Sequence, residues 1–223
     1  MHALESWDAQ LVRIVDAATA RAQAVSGHWL ACHPGCTQCC HGVFSISQMD
    51  AIRLRRGLDE LAGTDPMRAS AVIDRARQAV SRLSPEFPGD PATGILAESD
   101  PAFEDRFDAF ANDDPCPALD PESGLCDLYS ARPIACRTFG PPLETRGGFA
   151  VCELCFVGAT PEEVARCAVS LDEAGALEEK LTAAAEQLSA RTGSTLVAFA
   201  LARELPRSSP DLSSGLQPPP ESE

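Results

Sequence analysis

The chain places four thiols within nine residues, Cys32-His33-Pro34-Gly35-Cys36-Thr37-Gln38-Cys39-Cys40. In the Cys36-x-x-Cys39 step, two intervening residues let the backbone turn and aim both sulfurs at one point, about 2.3 Å from a zinc ion. Cys40 follows Cys39 directly, and on an extended backbone neighbouring side chains point to opposite sides. That implies either two metal centres or a bystander within the pair. His33 and His41 flank the block, and each could add an imidazole nitrogen. Buried structural thiols or a labile disulfide are the plainer alternatives, and thiols this crowded weigh against them.

Cys116, Cys126 and Cys136 follow with nine residues between successive members, a spacing that is not itself a chelate motif. Cys152-Glu153-Leu154-Cys155 is another C-x-x-C, yet it lies much further from the first than the roughly 15–20 residues of a local zinc ribbon. Cys167, just beyond a helix start at Pro161, reads as a core thiol. Arg132 and Arg137 bracket Cys136. A guanidinium there could donate hydrogen bonds to thiolate sulfur, or pair with one of the many carboxylates.

Taken in order, Gly35-Cys36…Cys39-Cys40, Cys116-Pro117…Leu119 and Cys126…Tyr129…Arg132-Pro133…Cys136-Arg137 resemble the YkgJ-like cysteine-cluster family, also described as a zinc- or iron-chelating CxxCxxCC family. The resemblance runs from Cys32 to Cys152. It implies metal binding, with zinc and an iron-sulfur cluster both proposed and no settled reaction. Cys32 departs from the pattern: it stands four residues before Cys36, where a ligand three before would fall on His33. The candidate ligands are therefore Cys36, Cys39, Cys40, Cys116, Cys126 and Cys136, with Cys32 and Cys152 as further candidates. No role is assigned to Cys155, Cys167, His33 or His41.

Ten cysteines in 223 residues mean different things in different compartments. The first residues carry Glu5 and Asp8 where a secretory signal needs a positive segment, and no apolar run follows. The longest apolar run, Leu196 to Ala202, is far short of the roughly 20 residues that span a bilayer. A cytoplasmic protein with reduced thiols is expected, which favours metal ligands or redox groups over disulfides. An exported, disulfide-stapled protein is the alternative. With 33 acidic against 18 basic residues, a net charge of -15, nucleic acid is not an expected partner, because its phosphates would be repelled. The acidic run Glu98, Asp100, Glu104, Asp105, Asp108, Asp113 and Asp114 lacks a calcium-loop spacing and reads as a solvated face. No G-x-S-x-G, G-x-G-x-x-G or P-loop motif occurs, and Lys180 is the only lysine.

The elements that must position these thiols read as helices. Apolar residues recur every three or four positions from Leu4 to Val25, with Gly27 placed for a C-cap. Ser47 with Asp50 starts a helix to about Leu61, and Asp65-Pro66 opens another to about Leu83. Ser84 to Gly94 reads as a connector, and Ser99-Asp100-Pro101 begins an acidic helix through about Ala111. Asp114 to Pro142 reads as two short extended pieces and one helical turn. Thr160-Pro161-Glu162-Glu163 starts a helix, followed by helices over Leu171 to Arg191 and Ser194 to Leu205. The last 18 positions, from Pro206, read as a disordered tail. The expected class is mainly α, with irregular cysteine-rich loops packed on a helical domain and little or no β-sheet. Residues 1–30 form its first helix, 31–158 the metal-binding region, and 159–205 the C-terminal helices of the same domain. The expected function is metal binding at a cysteine-thiolate site, zinc or iron-sulfur. An enzyme using the cluster for redox or group-transfer chemistry is the alternative.

Overall fold

In the computed structural model, which describes residues 2–145 and 147–202, helix α2 (Gln48–Thr64) packs against the helices that span 66–83, 172–189 and 197–202. Its start is the capping box the sequence announces: Ser47 Oγ accepts from the Asp50 N–H at 3.1 Å, and Asp50 Oδ2 accepts from the Ser47 N–H at 3.4 Å. α3 (Pro66–Leu83) opens with Asp65 accepting from Arg68 N–H at 3.1 Å and Pro66 in its first turn. Its buried stripe of Ala69, Val72, Ala76, Ala79 and Leu83 faces α2 and the short helix α8 (Val197–Ala202). Four of those five side chains are small or β-branched, so the helices approach closely.

α1 (His2–Ser26) buries Leu4, Leu11 and Val15 against Met49 of α2, Ile134, and Ala174, Leu181 and Ala185 of a long C-terminal helix over Asp172–Ser189. Ile134 begins α5 (Ile134–Thr138), and the acidic helix α4 spans Phe103–Asp108. α6 (Pro161–Arg166) carries a second capping box, Thr160 with Glu163, and α7 is the Asp172–Ser189 helix. A charged network is sealed between α1 and α2. Arg53 ion-pairs with both Asp8 and Asp50, and Asp8 and Arg53 are only 1% and 3% exposed. Asp50 Oδ1 also accepts from the Ile134 N–H at 3.0 Å. One carboxylate therefore caps α2, neutralises Arg53 and anchors the first residue of α5.

The chain is mainly helical with two small antiparallel hairpins, β1 (Gly89–Asp90) with β2 (Ile95–Leu96), and β3 (Leu143–Thr145) with β4 (Gly148–Ala150). Three boundaries differ from the sequence reading. α4 is six residues long, because Asp100 is spent on a turn, accepting from Ala102 N–H at 3.0 Å, and Ala111 leaves the helix with φ +52°. α8 starts at Val197 because Thr195 exchanges backbone hydrogen bonds with Ile46, and Ser194 accepts from Leu96 N–H. The expected connector over Ser84 to Gly94 contains β1 and a 3-10 turn, Ser84–Glu86. The helix end expected at Leu205 and the tail expected over 206–223 lie outside the described residues. Among the described residues, no helix is long and apolar enough to cross a membrane.

Candidate metal centre

Three separate segments bring five thiols to the side of α2. Cys39 and Cys40 sit on the 3-10 turn Gln38–Cys40, whose start is held by the Cys40 N–H donating to Thr37 O at 2.8 Å. Cys40 O accepts from the Cys116 N–H at 2.8 Å, and His41 pairs with Pro115 in a β-bridge. Cys126 bridges to Leu119 across a tight loop. The neighbouring Asp127 ion-pairs with Arg68 and Arg75, which clamps that loop onto α3, and Arg75 Nε also donates to Pro117 O at 2.9 Å. Cys136 rides on α5, whose N-terminus Asp50 holds. Cys116 and Cys126 pack against the apolar cluster of Leu54, Leu58, Val72 and Leu128.

The segment between Cys126 and Cys136 lies tight on α2. A Cβ on Gly57 would stand 2.3 Å from Ala131 Cβ, so only a glycine lets the 3-10 turn Tyr129–Ala131 come so close. Arg137 is buried and structural: it bonds to Asp16 of α1 at 2.8 Å and donates to the carbonyls of Ser130 at 2.5 Å and Arg132 at 3.1 Å. Arg132 lies over the Tyr129 ring, 4.0 Å from its centroid, and its buried Nε has no hydrogen-bond partner.

The electrostatics tie the five thiols together. The side-chain hydrogen bond with Cys40 lowers Cys39 to about 6, with the Arg132 charge helping, while the same bond and burial push Cys40 far up. Burial pushes Cys116 up to about 12 and raises Cys126 and Cys136; Cys39 adds to all three. Buried thiols close together resist ionisation because each thiolate raises the next, and a cation among them reverses that preference.

The other four thiols of the cysteine-rich segments gather elsewhere. Cys32 Sγ lies 3.8 Å from Cys155 Sγ, and the Cys155 N–H donates to Cys152 O at 2.9 Å. Partial desolvation lifts Cys32, an exposed residue, to about 12, and the charges of Cys155, Cys152 and Cys36 add to it. This outer group rests on its own apolar cluster of Cys155, Phe156 and Cys167, with Trp29 and Leu30 against it.

Cys36 acts electrostatically on Cys32 and Cys152, whereas Cys39 acts on Cys40, Cys116, Cys126 and Cys136, although the C-x-x-C spacing of the two suggests a shared ion. The structure keeps Cys39 and Cys40 together, because a 3-10 turn replaces the extended backbone on which neighbours diverge. Cys32 and Cys152, the further candidates, belong to the outer group with Cys155. The C-x-x-C of Cys152 and Cys155 was the available signal for that group, but its distance along the chain hid the partner. Cys167 donates to Val25 O at 3.6 Å and is buried. His33 is exposed, with Nδ1 2.9 Å from Pro34 O, and His41 is exposed on its bridge to Pro115.

Among the described residues, no three His, Cys, Asp or Glu side chains stand close enough to close on an ion as they are. The donor set suits a thiophilic ion. All ten cysteines are free thiols, each group is all-sulfur, and Arg132, whose Nε has no hydrogen-bond partner, carries a positive charge that acts on Cys39 and Cys126.

Residues 31–155, just over half of the chain, match the family model described as "CxxCxxCC: Putative zinc- or iron-chelating domain". No curated protein and no solved structure matches the chain.

Proposed function

The chain belongs to the CxxCxxCC family of zinc- or iron-chelating domains, and from that premise we propose that it is a metal-binding protein whose principal centre is built from Cys39, Cys40, Cys116, Cys126 and Cys136. One observation carries this reading. Thiols from three chain segments, Cys39-Cys40, Cys116 to Cys126 and Cys136, act on one another electrostatically against the α2 core, and the Cys116 N–H to Cys40 O bond ties two of those segments directly.

Four thiolates satisfy a tetrahedral zinc ion, or hold an iron-sulfur cluster with one thiolate on each iron of a [4Fe–4S] unit. Arg132 would offset part of the negative charge either centre leaves on its sulfurs. A set with more sulfur ligands than positions leaves no place for substrate, which favours a chelating or structural centre over an iron-sulfur enzyme. Such a centre would load in a reducing compartment, the cytoplasm, where thiols remain available to metal.

The test is elemental analysis with a visible absorption spectrum on full-length protein purified without air. Stoichiometric zinc with no colour, or iron with brown absorption, is expected, and Cys126→Ser or Cys136→Ser should remove the part of it that the inner thiols hold. Protein that folds without metal and takes up none when zinc or iron is supplied would sink the reading.

A further inference from the structure

We infer that Cys32, Cys36, Cys152 and Cys155 form a second, separate centre that takes a single zinc ion. The inference does not depend on which metal the inner group takes. Its first support is a distance. Four thiolates at about 2.3 Å from one zinc ion stand roughly 3.8 Å from each other along the edges of the tetrahedron. Cys32 Sγ and Cys155 Sγ are 3.8 Å apart. In a [4Fe–4S] cluster each cysteine binds a different iron, so the ligand sulfurs stand further apart than this.

The second support is the pairing of two local chelates. Cys32-x-x-x-Cys36 and Cys152-x-x-Cys155 each turn back on themselves, with Cys36 N–H donating to His33 O at 2.9 Å and Cys155 N–H to Cys152 O at 2.9 Å. A zinc site of this closed kind is commonly made from two such pairs.

The third is that the backbone brings the pairs together without help from the sulfurs. Phe156 N–H donates to Trp29 O at 2.8 Å, the two rings stack with centroids 6.3 Å apart, and Gln38 Nε2 donates to Glu153 Oε1 at 2.5 Å. Phe156 holds a left-handed φ of +58°, a conformation a bulky residue adopts only when its surroundings enforce it. Behind Cys32, Gly140 at φ +114° leaves only 3.1 Å between the place of a Cβ and Cys32 Sγ. Alanine there would crowd the sulfur. The segment around Cys152 is otherwise lightly held, since Val151, Leu154 and Val157 are exposed. A metal tie would supply what the small apolar cluster lacks.

Metal content of the full chain, purified anaerobically in the presence of zinc, tests this. Cys32→Ser alters an exposed residue and Cys152→Ser a half-buried one, so both should fold; circular dichroism matching the parent checks it. Each is expected to lower bound zinc by one equivalent and to lose one tetrahedral thiolate spectrum on cobalt substitution, while Cys126→Ser leaves that equivalent in place. Limited proteolysis after zinc removal should cut first near Val157, and zinc should restore protection. Three results would overturn the inference: unchanged zinc content in Cys32→Ser and Cys152→Ser; loss of the same equivalent in Cys126→Ser, which means one shared centre; or a native Cys32–Cys155 disulfide in place of metal. Failure of the inner centre alone would leave Cys126→Ser without effect and the outer equivalent intact.

Discussion

Cys39 and Cys40 are adjacent thiols on the 3-10 turn Gln38–Cys40 whose coupling divides them, lowering Cys39 to about 6 and raising Cys40. On that turn the two side chains diverge less than they would on an extended backbone. An ionised thiolate beside a protonated one is a ready first ligand for an incoming cation, and binding then releases the second proton.

In metal-free protein, Cys39 should therefore be alkylated by iodoacetamide at pH 7 ahead of Cys40. Its reactivity should fall as the pH drops through about 6. Cys40→Ala removes the larger cause and should raise that midpoint more than Arg132→Gln does. Mass spectrometry of peptides quenched across a pH series reads both effects, and equal rates for Cys39 and Cys40 would contradict the assignment.

The pH dependence of stability in the metal-free protein has a defined sign. Cys116 rises from the ordinary thiol value of 9.0 to about 12 by burial, and Cys40, Cys126 and Cys136 move the same way. Groups raised in the folded state contribute stability that is complete below 9.0 and lost as the pH climbs toward 12. Cys39 has the opposite sign: its contribution is present above 9.0 and disappears as the pH falls through about 6. Urea midpoints should thus fall above pH 9, and metal-loaded protein should resist that fall because its thiols are already ionised on the metal.

How far these relationships can be read from sequence depends on their range. The caps at Ser47, Asp65 and Thr160 are local, so the starts of α2, α3 and α6 follow from a few adjacent residues. The grouping of thiols is not local. Cys32 meets Cys155 across 123 positions, a contact that no local spacing encodes. The resemblance pointed to metal without separating the two groups. Arg132 and Arg137 were equivalent in sequence, and only packing distinguishes the guanidinium whose charge acts on Cys39 and Cys126 from the one that ties Asp16 to the Ser130 carbonyl.

The buried network between α1 and α2 predicts a large effect far from any sulfur. Asp8→Ala leaves Arg53 buried with Asp50 as its remaining carboxylate partner, and breaking a buried pair from one side costs about 3–5 kcal/mol. Asp50→Ala should match that loss of stability and also lower metal content, because it frees the N-terminus of the helix carrying Cys136. Urea denaturation with metal analysis separates the two: Asp8→Ala should be destabilised yet metal-loaded while folded.

Gly57 sets two effects against each other. Alanine is the better helix former by about 1 kcal/mol, so at a free position in α2 Gly57→Ala would stabilise. Here the new Cβ would lie 2.3 Å from Ala131 Cβ, and a clash with a buried neighbour costs about 1–3 kcal/mol or moves it. The steric cost should win, displacing the turn between Cys126 and Cys136, so Gly57→Ala should lower both the urea midpoint and the metal bound at the inner centre while leaving the outer centre loaded. Adding Ala131→Gly removes the clash and should restore metal. A Gly57→Ala protein as stable and as metal-rich as the parent would mean that this close approach does not position the thiols.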